Sequence, residues 1–237
     1  MSGGGVIAES ELVPGFAEFG IRAFTTGRAC GSFGLASGEP VRNVMARWSV
    51  LRCELRSGGP RLASATQVHG SKVLVHHGDW EGWLRADDAD GHLSAERGTA
   101  LAVTVADCVP VFIAHPSGAT ALLHSGWRGT AARIVEHAIQ ALEQRGFGAG
   151  ELRLHTGPAI CGGCYEVSAN VYAKLTGNDP GKPSVIDLRA VISEHAHRMG
   201  VRHITASPSC TRCDNDRFFS HRAGDTGRQL GVMIADR

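Results

Sequence analysis

Cys108 lies in the step Ala106-Asp107-Cys108-Val109-Pro110, inside an otherwise apolar run, and sixteen residues later His124 closes a second apolar run. Neighbouring strands can bring those two ends together. A thiol beside an imidazole can ligate a metal or act as a nucleophile with its base, and a polar step that interrupts a buried strand marks a pocket wall. Taken alone, Cys108 fits a buried thiol that packs as a small hydrophobe equally well. A further imidazole, His69, stands in Gln67-Val68-His69-Gly70, where the following glycine leaves room. His69, Cys108 and His124 then form a two-histidine, one-cysteine set. Three protein ligands leave the fourth tetrahedral position open, the arrangement of catalytic zinc, whereas structural zinc is usually closed by four. Spacing alone does not single out these three, because His76, His77 and His92 compete and a lone strand histidine is more often structural. Asp107, next to one ligand, is a candidate to orient an imidazole or move a proton.

His124 also opens His124-Ser125-Gly126-Trp127-Arg128-Gly129-Thr130. This reads as a strand-to-helix turn suited to an anion, with Gly126, Trp127 and Arg128 as candidate substrate contacts. Amides at a helix start carry partial positive charge, and a guanidinium adds a forked, charge-assisted contact to phosphate. The sequence is not a P-loop. The plainer alternative is a tight turn with a solvated arginine.

Seven cysteines and twelve histidines make metal or thiol chemistry worth weighing. The odd cysteine count in a chain of this size argues against a disulfide scaffold. Cys161-Gly-Gly-Cys164 and Cys210-Thr-Arg-Cys213 are two Cys-x-x-Cys pairs, but the gap between them far exceeds the roughly 15–20 residues of a common zinc ribbon. Cys161 follows a Gly-Pro-Ala-Ile turn rather than a thioredoxin-like strand, and both pairs are expected to pack, although a folded chain could still unite them. Near the C-terminus, Phe218 and Phe219 precede Arg222 and Arg228 and could stack on a flat base while an arginine holds a charge. Core anchoring is the commoner fate of phenylalanine, and it is expected for at least one of them.

These residues need elements to position them. Extended segments are predicted over 67–76, 100–114 and 119–124, and helices over 130–144, 169–175 and 188–199, with a surface loop over 176–183. In the first helix Ile134, Val135, Ala138, Ile139 and Leu142 share a face, and Gly146 stops it. Strands and helices mix without strict βαβ alternation, which predicts an α+β or mixed α/β fold with layered, central mixed β-sheets flanked by helices. With 237 residues and no linker or repeat, one catalytic domain over 1–237 is expected, with 1–8 as a flexible tail. The 24 Lys+Arg against 23 Asp+Glu remove the electrostatic footprint of a nucleic-acid binder. No apolar run reaches the ~20 residues of a membrane span and no signal peptide is evident, so the expectation is a cytoplasmic protein with neither nucleic acid nor membrane as partner.

The motifs together resemble the polyphenol oxidase (laccase domain) family, also called the peptidoglycan editing factor family. Gln67-Val68-His69-Gly70, Ala89-Asp90-Gly91, Ala106 to Val111, His124 to Gly129, Gly157 to Val167, Phe218 to Arg222 and Thr226-Gly227-Arg228 occur in the family's order, from about residue 20 to the end. The resemblance implies a layered fold likened to cysteine hydrolases and a zinc site that maps onto His69, Cys108 and His124. It also implies phosphorolysis of adenosine, inosine, guanosine and methylthioadenosine, with adenosine deaminase activity, despite the family's older multicopper-oxidase name. A phosphate co-substrate fits the turn at Arg128, and Arg222 lies within a matching motif. Ser125 replaces the usual alanine of the turn, Ala223 the second arginine of a later pair, and the segment 24–31 lacks the longer Gly-Gly-x-Ser and Leu-Asn-Leu pattern.

The expected function is therefore a zinc-dependent purine nucleoside phosphorylase acting on a nucleoside and phosphate. Two alternatives keep the same residues. One is a metal-free cysteine hydrolase using Cys108 with His69 or His124; the other is a non-catalytic, metal-dependent binding module linked to cell-wall synthesis. Copper oxidase chemistry ranks last, since His195-Ala196-His197 is a single His-x-His pair on a predicted helix.

Overall fold

The apolar run from Ala100 to Ala114 resolves into two strands that belong to different sheets. A computed structural model describes residues 6–237 of the chain. In chain order its elements are β1 (Ser10–Leu12), β2 (Ile21–Thr26), α1 (Val41–Leu55), β3 (Arg61–Ala65), β4 (Val73–His76), β5 (Gly82–Ala86), β6 (Gly91–Ser94), β7 (Thr99–Val105), β8 (Val109–Ala114), β9 (Thr120–Ser125), α2 (Trp127–Ala131), α3 (Ile134–Glu143), β10 (Arg153–Thr156), β11 (Glu166–Val167), α4 (Ala169–Thr176), β12 (Ser184–Val185), α5 (Leu188–Arg198), β13 (His203–Ala206) and β14 (Gln229–Ala235). One six-stranded sheet has the order β1-β2-β14-β7-β3-β5, the other β13-β10-β8-β9-β6-β4. Both mix parallel and antiparallel neighbours.

The two-residue period of a strand sorts the apolar side chains into layers. Leu101, Val103 and Val105 of β7 and Met233 of β14 meet Phe112 of β8 and Leu122 of β9 between the sheets. Phe112 is fully buried there, and its truncation to alanine is worth about 3–5 kcal/mol. Ala100, Ala102, Leu230 and Val232 point the other way and are covered by Val44, Trp48, Leu51 and Leu55 of α1. On the far side Val109, Val111, Ile113 and Leu123 pack under Ile134, Ile139 and Leu142 of α3 and Ile192 of α5. Both faces of β7, β8, β9 and β14 are thus buried, so their sequences are continuously apolar rather than alternating. The result is a layered α+β fold with two mixed sheets between helices.

Beyond the division of the 100–114 run into two strands, the structure departs from the sequence reading in three places. The helix expected over 130–144 begins earlier, at Trp127, and is split after Ala131, because Arg133 takes a left-handed conformation with φ of 61° that ends one helix and starts another. The strand expected over 67–76 is confined to Val73–His76, since residues 66–72 form an irregular loop. Of the expected tail, residues 1–5 lie outside the described residues, and Val6–Glu9 forms a 3-10 turn in which the Val6 and Ile7 amides donate to the Glu54 carboxylate at 2.8 and 3.2 Å. No helix among the described residues is long and apolar enough to cross a membrane.

Candidate metal centre

Residues 106–108 carry the chain from one sheet to the other, and Cys108 sits at that crossing. The antiparallel pairing of β8 with β9 places Val109 opposite Ser125 and Pro110 opposite His124, which brings His124 to the same edge. His69 arrives from the 66–72 loop. One ligand atom from each of His69, Cys108 and His124 lies within 4.8 Å of the others. The two imidazole rings meet edge to face, with centroids 4.8 Å apart and an interplanar angle of 80°.

Asp90, immediately before β6, organises two of the three. Its Oδ1 accepts the His69 amide at 2.9 Å, and its Oδ2 accepts those of Gly70 at 2.7 Å and Val68 at 3.2 Å. The same Oδ1 lies 2.8 Å from His124 Nδ1. This carboxylate therefore clamps the loop that holds His69 in a left-handed conformation, φ 62°, a strain of order 1–3 kcal/mol for a non-glycine residue. It also commits Nδ1 of His124, which leaves Nε2 as the free donor of that ring. Asp90 was not among the residues singled out for a role from the sequence, although it stands within Ala89-Asp90-Gly91. Its four contacts come from a loop and a strand end that only the sheet pairing brings together.

Asp107 has two partners of its own. Its Oδ1 accepts the Thr211 hydroxyl at 2.6 Å and its Oδ2 the Arg222 amide at 2.7 Å, so it ties down the 211–222 segment while Asp90 orients the imidazole. Asp107 too has a positive φ, 78°.

The glycines of the turn meet a steric requirement. A Cβ on Gly126 would lie 2.8 Å from Cys108 Sγ and 3.4 Å from His69 Cδ2, and one on Gly129 would lie 2.8 Å from the Gly70 carbonyl. They make room for the donor cluster and its loop. Arg128 is exposed, with its guanidinium carbon 4.4 Å over the Trp127 ring, and pairs with no carboxylate among the described residues. Arg222 is held by the Glu166 carbonyl at 2.9 Å and lies 4.8 Å over the Tyr165 ring.

The cluster lies on a cavity of about 690 Å³, whose walls include Phe33, Trp83, Arg85, Arg128, Tyr165 and Arg222. That volume is within the range of small-molecule sites. Phe218 and Phe219 do not line it: Phe218 is buried in the core, and Phe219 packs against Gly227 with Arg28 over its ring.

Without a metal the cluster is strongly polarised. Burial pushes the Cys108 thiol up, but His124 and His69 outweigh it and bring it down to about 6. Burial alone would lower His124, but the Cys108 thiolate and Asp90 raise it to about 9. Tyr165 is pushed up to about 12 by burial and by the Cys108 charge, so its hydroxyl keeps its proton. A deprotonated thiol, an oriented imidazole, a second imidazole and a cradle that a single methyl group would fill are what a divalent metal requires. Among the described residues no fourth His, Cys, Asp or Glu joins the set.

The family described as multi-copper polyphenol oxidoreductase laccase matches residues 29–236, and the chain belongs to it. It is 35% identical over 214 residues to a protein of Streptomyces coelicolor named purine nucleoside phosphorylase, covering 86% of this chain and 88% of that one. It is 36% identical over 178 residues to a protein of the same name from Streptomyces griseus, covering 72% of each. Among solved structures it is similar to YlmD from Geobacillus stearothermophilus, with a TM-score of 0.87 at 27% identity over 95% of this chain and 94% of that one. YfiH from Bacillus licheniformis, at 24% identity, shares the fold with a TM-score of 0.84 over 95% of this chain and 96% of that one.

Proposed function

We propose that the protein is a zinc-dependent purine nucleoside phosphorylase, with adenosine deamination as a second reaction of the same pocket. The observation that carries this reading is the three-donor cluster of His69, Cys108 and His124 on a cavity that is also lined by four arginines, Arg85, Arg128, Arg222 and Arg228. The names of the Streptomyces relatives support the substrate class. Zinc held by the three donors would supply a Lewis acid with one position open to substrate.

The chain's own residues account for the rest. Asp90 fixes the His124 tautomer, so the ring does not have to reorganise when substrate enters. Arg128, with no carboxylate partner among the described residues, binds the phosphate charge, and Arg222 is aimed by the Tyr165 ring and the Glu166 carbonyl. Phe33 and Trp83 give the base an apolar wall that excludes water. As the glycosidic bond loosens, positive charge grows on the ribose, and a phosphate already held beside it stabilises that charge.

The deciding experiment incubates pure protein with adenosine, inosine and methylthioadenosine, with and without phosphate, and identifies products by mass. Free base with ribose-1-phosphate only when phosphate is present supports phosphorolysis, and inosine from adenosine without phosphate supports deamination. Unchanged nucleosides under every condition overturn the reading.

A second reading has its own observation, the line Asp90–His124–Cys108, which has the order of a nucleophile, its base and the group that orients the base. In a metal-free cysteine hydrolase Cys108 would be acylated by an amide or ester. Metal-free purified protein that forms a trappable acyl-enzyme at Cys108 would favour this reading over the first.

A further inference from the structure

Four cysteines take no part in the site above, yet the Sγ atoms of Cys161, Cys164, Cys210 and Cys213 all lie within 4.8 Å of one another. The cause is topological. β10 and β13 are parallel neighbours, with Arg153 opposite His203 and Thr156 opposite Ala206, so two strands far apart in sequence end side by side. The pairing resumes past the strand ends as a parallel bridge between Ala159 and Cys210. Each strand then runs directly into a Cys-x-x-Cys turn. The Cys164 amide closes one turn on the Cys161 carbonyl at 3.0 Å, and the Asp214 amide closes the other on the Cys210 carbonyl at 2.8 Å. The long sequence gap that argued against a shared site is the separation of two paired strands.

The local geometry suits a metal. Four sulfurs at about 2.3 Å from a tetrahedral ion are about 3.8 Å apart, and Cys164 Sγ and Cys213 Sγ are separated by 3.5 Å. Cys210 Sγ accepts two backbone N–H groups, from Cys161 at 3.3 Å and from Cys213 at 3.4 Å. Such donors favour a thiolate over a thiol, because the sulfur is the acceptor in both. No sulfur pair is bonded, and all four thiols are free.

We propose that Cys161, Cys164, Cys210 and Cys213 hold a second, structural zinc ion, closed by four thiolates and separate from the His69–Cys108–His124 centre. On binding, each thiol still protonated releases its proton and no electron moves. The ion joins the turn that leads into Tyr165 and Glu166 to the turn that carries Thr211. Thr211 donates to Asp107, beside Cys108, and the Arg212 guanidinium donates to the Cys164 carbonyl at 3.2 Å. The ion therefore braces the wall of the cavity on which Arg222 and Tyr165 sit. This assignment does not depend on the nucleoside reading.

The test measures metal rather than turnover. Protein purified under reducing conditions, without chelator, should carry two zinc ions per chain. The C164S/C213S double variant, altered at partly and fully exposed positions, should carry one and keep its circular dichroism, and adding Cys108→Ser should remove the other. Cobalt titrated into metal-free Cys108→Ser protein should give the visible bands and sulfur-to-metal charge transfer of a tetrahedral four-sulfur site, absent once Cys164 and Cys213 are also serine. Zinc content unchanged between the wild type and the double variant, iron in place of zinc, or a cobalt-silent Cys108→Ser protein whose four cysteines titrate as free thiols or as two disulfides would each overturn the proposal.

Discussion

Asp90 and His124 are joined twice: the Asp90 carboxylate lies 2.8 Å from the imidazole Nδ1, and the Asp90 carbonyl accepts the His124 backbone N–H at 2.7 Å. The same carboxylate accepts three further amides from the His69 loop. Asparagine has one acceptor oxygen and turns two N–H donors toward groups that are themselves donors. Asp90→Asn is therefore expected to lower zinc affinity about 10- to 100-fold, checked by competition with a chromophoric chelator. Burial tends to raise the Asp90 carboxyl, but His124 and the Gly70 and His69 amides hold it below its ordinary value of 3.8. Its stabilisation is therefore complete above the ordinary carboxylate range and is lost as pH falls through the lowered value. Urea midpoints measured from neutral to acid pH should fall less steeply for the variant than for the wild type.

In the metal-free protein the thiol of Cys108 ionises at about 6 and the imidazole of His124 at about 9. A depressed cysteine value makes the thiolate available above about 6 and withdraws it below; a raised histidine value keeps the imidazolium until the pH passes about 9. The pair coexists in that window, and its contribution to stability fades beyond either edge. Iodoacetamide should alkylate Cys108 of stripped protein at a rate that stays high down to pH about 6, whereas an ordinary thiol slows below its own range near 8–9. Peptide mass mapping identifies the residue, and zinc should protect it. A rate that falls off as an ordinary thiol's does would contradict the geometry.

The chain's own pattern made the layering legible, because β8, β9 and β7 carry apolar side chains on both faces and so mark themselves as central. The three donors were legible as residue types beside a polar interruption of that pattern. What escaped was set by tertiary pairing. The split at Arg133 depends on one left-handed residue inside a well-formed apolar helical face. The run 100–114 hides a crossing between sheets because each half is buried by a different layer. Asp90 reads as an ordinary acidic residue before a glycine until β6 pairs with β9, and the two Cys-x-x-Cys turns read as unrelated until β10 lies beside β13.

Gly126 is extended, so its backbone tolerates any residue, and the constraint there is space. Gly126→Ala would set a methyl group 2.8 Å from Cys108 Sγ. The thiol must move, at an expected cost of about 1–3 kcal/mol, and the donor triangle opens. We expect a folded protein with a lowered melting temperature and most of the zinc at this centre missing, read by calorimetry and metal analysis together. Wild-type zinc content in the alanine variant would mean the cradle is looser than a 2.8 Å approach to Cys108 Sγ implies.

In the proposed reaction Arg128 would serve phosphate rather than nucleoside. The side chain stacks on Trp127, which also lies 6.0 Å from the Lys174 ammonium, and its removal should leave the fold intact. A charge-assisted contact is worth about 1.5–3 kcal/mol. Arg128→Ala should therefore raise the KM for phosphate by about ten- to hundredfold with little change in that for nucleoside, and Arg128→Lys should recover part of the loss. Equal changes in both constants would place the side chain elsewhere in the mechanism.

Asp107 and Asp90 flank the same cluster but hold different things, and the contrast can be measured. Asparagine tolerates the left-handed backbone at 107, so Asp107→Asn tests the carboxylate rather than the turn. One of its two partners, the Thr211 hydroxyl or the Arg222 amide, would lose its acceptor inside a buried site, costing about 1–3 kcal/mol. Since neither partner touches an imidazole, zinc at the His69–Cys108–His124 centre should remain at the wild-type level, while kcat falls as Arg222 loses its placement. Asp90→Asn should show the reverse order, with metal lost first and activity restored by excess zinc. If Asp107→Asn loses zinc as readily as Asp90→Asn, then Asp107 supports the ligands directly and the division of labour between the two carboxylates is wrong.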